Sequence, residues 1–168
     1  MGSKCAPAVA CTYMAEFERQ YIYSLPPEEQ PLLWVRFIDD CFCLWTHGQE
    51  ALDKFTNYLN SCTEKIKFTR EMPSANSGVA FLDTLVRIKD RRIHTELYIK
   101  PTSSLSYLHR ESCHPKSTFK SLPYGEFLRI RRICSDLEDY DKHARSIEDG
   151  FLKRGYDSSA LIEAREKA

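Results

Sequence analysis

The sequence has no long apolar run. Its longest uncharged apolar stretches, Leu32 to Val35 and Cys41 to Trp45, are far too short to span a bilayer. None of its seven cysteines forms a Cys-x-x-Cys pair, and no secretory signal precedes them, so a reducing intracellular setting fits. No internal repeat or low-complexity segment appears, which excludes repeat architectures. Net charge is also absent, with 24 basic residues against 24 acidic ones. That balance hides an uneven distribution. Residues 87–132 carry eleven Lys/Arg against four Asp/Glu, a local +7, and the remainder carries −7. A basic middle in a neutral chain points to an anionic partner on one face.

What is present is globular: 168 residues, 42% hydrophobic and 29% charged, enough for one ordinary domain or a domain fragment with a small helical module. From Pro7 to Tyr23 the pattern is helical, with Val9, Tyr13, Phe17 and Tyr21 in register, and Pro26-Pro27 ends it. Two β-favouring runs, Leu32 to Phe37 and Cys41 to Trp45, flank Asp39-Asp40 and predict a hairpin. Residues 49–62 predict a helix on Leu52, Phe55, Leu59 and Cys62. Lys65 to Arg70 alternates and predicts a strand. Phe81 to Ile88 and Ile93 to Lys100 predict a second hairpin, turned at Lys89-Asp90-Arg91-Arg92. Beyond Pro101 the period becomes helical: about Leu122 to Cys134 with Pro123 in the first turn, then 136–154 stopped by Gly155, then a last helix from Asp157 or Ser158 through Glu166. The chain therefore reads as α+β, dividing near residue 101 into domains 1–101 and 102–168.

Asp39 and Asp40 carry the sharpest chemical signal. Adjacent carboxylates inside an apolar hairpin are costly unless solvated, paired or bound to a cation, and hard oxygen ligands suit Mg²⁺. A plain Asp-Asp turn is the competing reading, although such turns usually carry Gly or Asn and none is here. The residues alone leave both open. A second group, His109, Cys113, His114 and Cys134, offers zinc-type ligands, but its spacing matches no common site and ordinary buried or loop residues explain it better.

The order of elements resembles the palm of a reverse transcriptase. Phe37-Ile38-Asp39-Asp40 looks like that family's aromatic-x-Asp-Asp box, and Met1-Gly2-Ser3-Lys4-Cys5-Ala6-Pro7 like its Gly-x-x-x-Ser-Pro element, with Ala6 in place of Ser. More specifically, Arg36 to Asp40, Ile66-Lys67-Phe68-Thr69, Phe81-Leu82-Asp83-Thr84, Leu97 to Thr102, Tyr107-Leu108-His109, Ser112 to Lys116 and Leu128 to Ser135 stand in the order of Penelope-like retroelements. The resemblance implies a partial palm (hairpin, helix, strand, second hairpin) followed by a thumb with a three-helix, helix-turn-helix-like module. It implies RNA-directed DNA polymerisation with two Mg²⁺ ions, Asp39 as metal ligand with Asp40 beside it, and Gly2, Ser3, Lys4 and Pro7 lining the nucleotide and template.

That family also needs a third carboxylate and fingers upstream of the Gly-x-x-x-Ser-Pro element, so the chain is expected to be inactive alone. Implied partners are an RNA template, a DNA primer, their hybrid and the missing N-terminal half of the polymerase, with a nuclear location if the protein functions. The residues support nucleic-acid contact independently. Phe127, Ile130 and Cys134 share one side of the predicted basic helix, Arg129 and Arg132 project from another, and Lys116 and Lys120 precede its start. These four cations can grip a duplex backbone without reading sequence. Arg131, nearer the apolar side, is expected to pair within the fold, with Asp136 or Glu138. The rival expectations are a non-catalytic nucleic-acid-binding protein derived from a retroelement and a protein-interaction remnant.

Overall fold

The computed structural model describes residues 4–73, 77–104 and 106–168. Among them are five α-helices and two small antiparallel sheets, an α+β chain. They form two compact units, Met1–Glu71 and Met72–Ala168. The second sheet lies in the same compact unit as the last three helices, because strand and helix side chains there share hydrogen bonds, ion pairs and a core.

In the first unit, helix α1 (Ala6–Tyr21) has Pro7 in its first turn, where a missing N–H costs nothing. Strands β1 (Leu33–Phe37) and β2 (Asp40–Leu44) pair antiparallel, and α2 (Gln49–Cys62) follows. Phe17 of α1 and Ile22 just after its end meet Phe55 and Leu59 from α2, and Trp34, Trp45 and Phe68 close over them. Alternation sends Trp34 and Arg36 of β1 toward α1 and leaves Leu33, Val35 and Phe37 exposed.

Lys65 to Arg70 is not a strand; no other strand pairs with it. Its anchor is a side chain: Asn60 Nδ2 donates to the Phe68 carbonyl at 3.1 Å, and the Phe68 N–H donates to Asn60 Oδ1 at 2.6 Å. One asparagine thus satisfies both backbone groups that a neighbouring strand would have satisfied. The Phe68 ring then packs near Phe17 and Trp34, with centroids 5.9 and 6.1 Å away.

In the second unit, β3 (Val79–Phe81), β4 (Thr84–Lys89) and β5 (Arg92–Leu97) form a meander, so the expected hairpin has three strands. The run from Phe81 to Ile88 breaks at Leu82-Asp83, a two-residue turn between the paired Phe81 and Thr84. Gly78 enters this sheet at φ +69°, and a Cβ there would stand 2.6 Å from the Val86 carbonyl oxygen. No other residue fits.

Helices α3 (Lys116–Ile133), α4 (Leu137–Leu152) and α5 (Ser158–Glu166) complete the unit. α3 begins six residues before Leu122, and Pro123 lies in its interior rather than its first turn. A mid-helix proline forfeits one hydrogen bond. Here Phe119, Pro123 and Phe127, four residues apart on one stripe, are all buried, and that burial outweighs the lost bond. The core joins Phe127 and Ile130 of α3, Ala144, Ile147 and Phe151 of α4, and Leu161 and Ala164 of α5. Gly155, at φ +81°, turns the chain from α4 toward α5.

Candidate nucleic-acid interface

Two features of the molecule are candidates for contact with nucleic acid, one in each unit. In the first, β1 and β2 are joined by the two-residue turn Ile38-Asp39, with Phe37 opposite Asp40. Ile38 sits at φ +56° while Asp39 does not share the positive sign, the pattern of a type II′ turn with the first central residue left-handed. Glycine ordinarily fills that place; a β-branched residue there is strained.

The turn is braced from behind. Arg36 Nε donates to Glu18 Oε1 at 2.6 Å, its Nη2 donates to Glu18 Oε2 at 3.4 Å, and its Nη1 donates to the Ile38 carbonyl at 3.2 Å. Trp34 Nε1 donates to the same Glu18 carboxylate at 3.1 Å, and both ion-pair side chains are about nine-tenths buried. The Glu18 carboxylate raises the Arg36 pKa against the cost of burial. Burial pushes the Cys41 and Cys43 thiols up to about 11, and the Glu18 charge adds to the effect at Cys41. Both cysteines behave as small apolar residues beneath the tip.

Against this braced frame, Asp39 and Asp40 are exposed, and neither has an ion-pair partner among the described residues. Lys4 and Pro7 lie at the exposed start of α1; Gly2 and Ser3 are outside the described residues. Sequence reasoning found the aspartates but not Glu18 or Arg36. The signal that could have found Glu18 is an acid in the apolar stripe of α1, immediately after Phe17.

The same turn recurs in the second unit with a different outcome. Leu82, at φ +57°, precedes Asp83 as Ile38 precedes Asp39. Asp83 is paired: Arg129 Nη1 donates to its Oδ2 at 2.7 Å, and Arg129 Nη2 donates to Glu126 Oε2 at 2.9 Å. Burial opposes the Arg129 charge, but these two carboxylates outweigh it and raise its pKa. Arg129 therefore pins α3 to the sheet, and two carboxylates compete for it with any phosphate. Arg131 pairs with neither Asp136 nor Glu138; its guanidinium lies 5.6 Å from the Tyr140 ring centroid.

Lys116, Lys120 and Arg132 are exposed and carry no ion pair among the described residues. They do not form one row. Lys116 and Lys120 are one turn apart, whereas Arg129 lies about half a turn around the helix from Lys120. The two lysines, expected to precede the helix, lie instead within its first turns and on a different side of α3 from Arg129. The suggested zinc group is dispersed as well: Cys134 is buried in the core at the end of α3, Cys113 is exposed, and the rings of His109 and His114 make local contacts with Glu111 and Ser112. Among the described residues no three potential ligands cluster.

The three helices, the five-residue connection after α4 and its left-handed glycine define a recognisable module. Residues 106–166 match the animal helix-turn-helix domain. The chain has no match among curated proteins or among solved structures. Within this helix-turn-helix region, charge is segregated. Residues 135–168, which include α4 and α5, hold nine acidic against six basic residues, a net −3. The net positive charge of this region therefore lies in α3 and the segment before it rather than in the last two helices. No helix among the described residues is long and apolar enough to cross a membrane.

Proposed function

We propose that the helical unit binds the backbone of a nucleic-acid duplex without reading sequence, as part of a Penelope-like reverse transcriptase. The observation that carries this reading is the helix-turn-helix match over the segment bearing the exposed cations Lys116, Lys120 and Arg132, which have no ion pair among the described residues. Lys116 is the first residue of α3, where free backbone N–H groups and the helix dipole already favour phosphate. Each neutralised phosphate steepens the fall of log affinity with log salt by about 0.9 for a B-form duplex. Replacing Lys116 and Lys120 with Ala should weaken binding to all duplex sequences alike and flatten the salt slope by about two. Fluorescence anisotropy with a labelled RNA–DNA hybrid across a salt series reads both quantities. An unchanged slope would show that these lysines are only a solvated face.

The finer reading concerns the Asp39-Asp40 tip as the metal-bearing part of a polymerase palm. Its support is the contrast between two like turns: Asp83 is consumed by Arg129, whereas Asp39 and Asp40 are held out on a braced, strained tip with no ion pair among the described residues. Hard, solvated carboxylate oxygens fit Mg²⁺, which commonly takes one or two carboxylates and completes its shell with water and substrate phosphates. Asp39 would hold the ion with Asp40 beside it, and the ion would supply charge to neutralise a nucleotide's phosphates. Two carboxylates alone bind weakly, so primer extension by this chain is not expected. Asp39→Asn should lower Mn²⁺ affinity severalfold in a titration followed by Mn²⁺ electron paramagnetic resonance. Equal affinity in both proteins would remove the metal reading and leave a plain turn.

A further inference from the structure

A groove of about 820 Å³ runs between α3 and α5, within the range of ligand pockets. Its walls combine two chemistries. Tyr124, 39% exposed, presents an aromatic surface above the buried Phe119 and Tyr156. Lys120 and Lys167 stand on opposite helices, and Arg110 lies over the Phe119 ring with its guanidinium carbon 4.8 Å from the centroid. Two acids also line the groove, Asp157 and Glu163. Glu163 is engaged by Lys167, and Lys120 adds to the charge that lowers its pKa. A carboxylate thus already competes with any phosphate for these lysines.

The floor carries a second, independent sign. Tyr156 is 6% exposed, and its hydroxyl is buried without a hydrogen-bond partner. Among buried side-chain polar atoms of the described residues it alone lacks one. A buried donor left unpaired is costly and calls for an explanation, and a group entering the groove would supply the missing acceptor.

We propose that this groove holds one unpaired nucleotide of a bound strand, with its base against Tyr124 and its phosphate between Lys120 and Lys167. The proposal rests on nucleic-acid binding by this unit and specifies which part of the ligand enters it. A concave seam between two helices cannot admit a stacked base pair, whereas an unstacked base offers a flat face to an aromatic ring and is bound with little regard to its identity. The cations flanking the seam match phosphate and give no comparable advantage to a neutral peptide.

The test compares two labelled hybrids that bind the full chain: one blunt, the other identical but with a four-nucleotide single-stranded extension. The extension should tighten binding about tenfold, the gain typical of one stacked base. Tyr124→Ala, at a half-exposed position, should abolish that gain and leave blunt-hybrid affinity unchanged. Glu163→Gln should enlarge the gain, because it removes the acid that competes with phosphate. Equal affinity for the two hybrids, or a gain that survives Tyr124→Ala, overturns the proposal. The two readings fail separately: loss of blunt-hybrid binding would undo the duplex reading, while a blunt hybrid bound as tightly as the extended one undoes only the groove.

Discussion

Arg36 serves two groups at once: the Glu18 carboxylate and the carbonyl of strained Ile38. A left-handed β-branched residue costs about 1–2 kcal/mol and persists only where its surroundings over-determine it. The Glu18–Arg36 pair is that surrounding. Burial makes such a pair unforgiving, since removing one partner strands an uncompensated charge in the interior. Arg36→Ala should destabilise the protein by about 3 kcal/mol in urea denaturation followed by tryptophan fluorescence, with Trp34 itself bonded to Glu18. Replacing the pair together, Glu18→Leu with Arg36→Met, should cost much less, because no buried charge remains. If the single and double variants lose the same stability, the pair is solvated and does not brace the turn.

At the scale of elements, strong periodicity was readable and local substitution was not. α2 runs from Gln49 to Cys62, as the spacing of Leu52, Phe55 and Leu59 requires, and α4 follows its stripe from Leu137 to Phe151. α1, the Gly155 stop and the start of α5 were equally legible from Pro7, glycine and a polar cap position. Three features were hidden, each for a physical reason. The strand expected at Lys65 to Arg70 has the right alternation, but Asn60 takes the hydrogen bonds of its centre. The turn at Leu82-Asp83 carries neither glycine nor asparagine, so nothing in composition announces a left-handed residue. Pro123 resembles a helix start because propensity rules place proline there, and only the burial of Phe119 one turn earlier reveals that the helix is already under way. The candidate sites divide in the same way. Asp39 and Asp40 were legible as paired acids in an apolar context. The commitment of Arg129 to Asp83 was not, because it joins residues 46 apart in sequence through a turn that the sequence conceals.

Across the whole molecule, the two units bury very unequal cores. In Met72–Ala168, twelve buried residues among those described form one cluster, ten from α3, α4, α5 and β5 together with Cys134 and Tyr156, and Phe127, Ile130, Ala144, Ile147 and Phe151 are fully inaccessible. Glu96 of β5 pairs with Arg87 of the neighbouring β4 and reaches Lys142 and the His143 ring of α4, so sheet and helix are fastened by polar contacts as well as packing. In Met1–Glu71, among the described residues, only Phe17, Ile22, Phe55 and Leu59 form the buried apolar centre. Leu33, Val35, Phe37 and Ile38 line an exposed face, and Val9 and Tyr13 are exposed on α1. Fully burying a large apolar side chain contributes about 1.5–3 kcal/mol, and a segment of this size is marginal even when most of its apolar side chains are covered. Residues 72–168 expressed alone should therefore unfold in one cooperative urea transition. Residues 1–71 alone should show no sharp transition and should bind the dye ANS, as chains with uncovered apolar surface do. The outcome bears on function, because the unit that would hold nucleic acid would then be self-sufficient while the aspartate tip depends on something covering its apolar face. A cooperative, dye-silent 1–71 segment would show instead that the small core and the buried Glu18–Arg36 pair suffice.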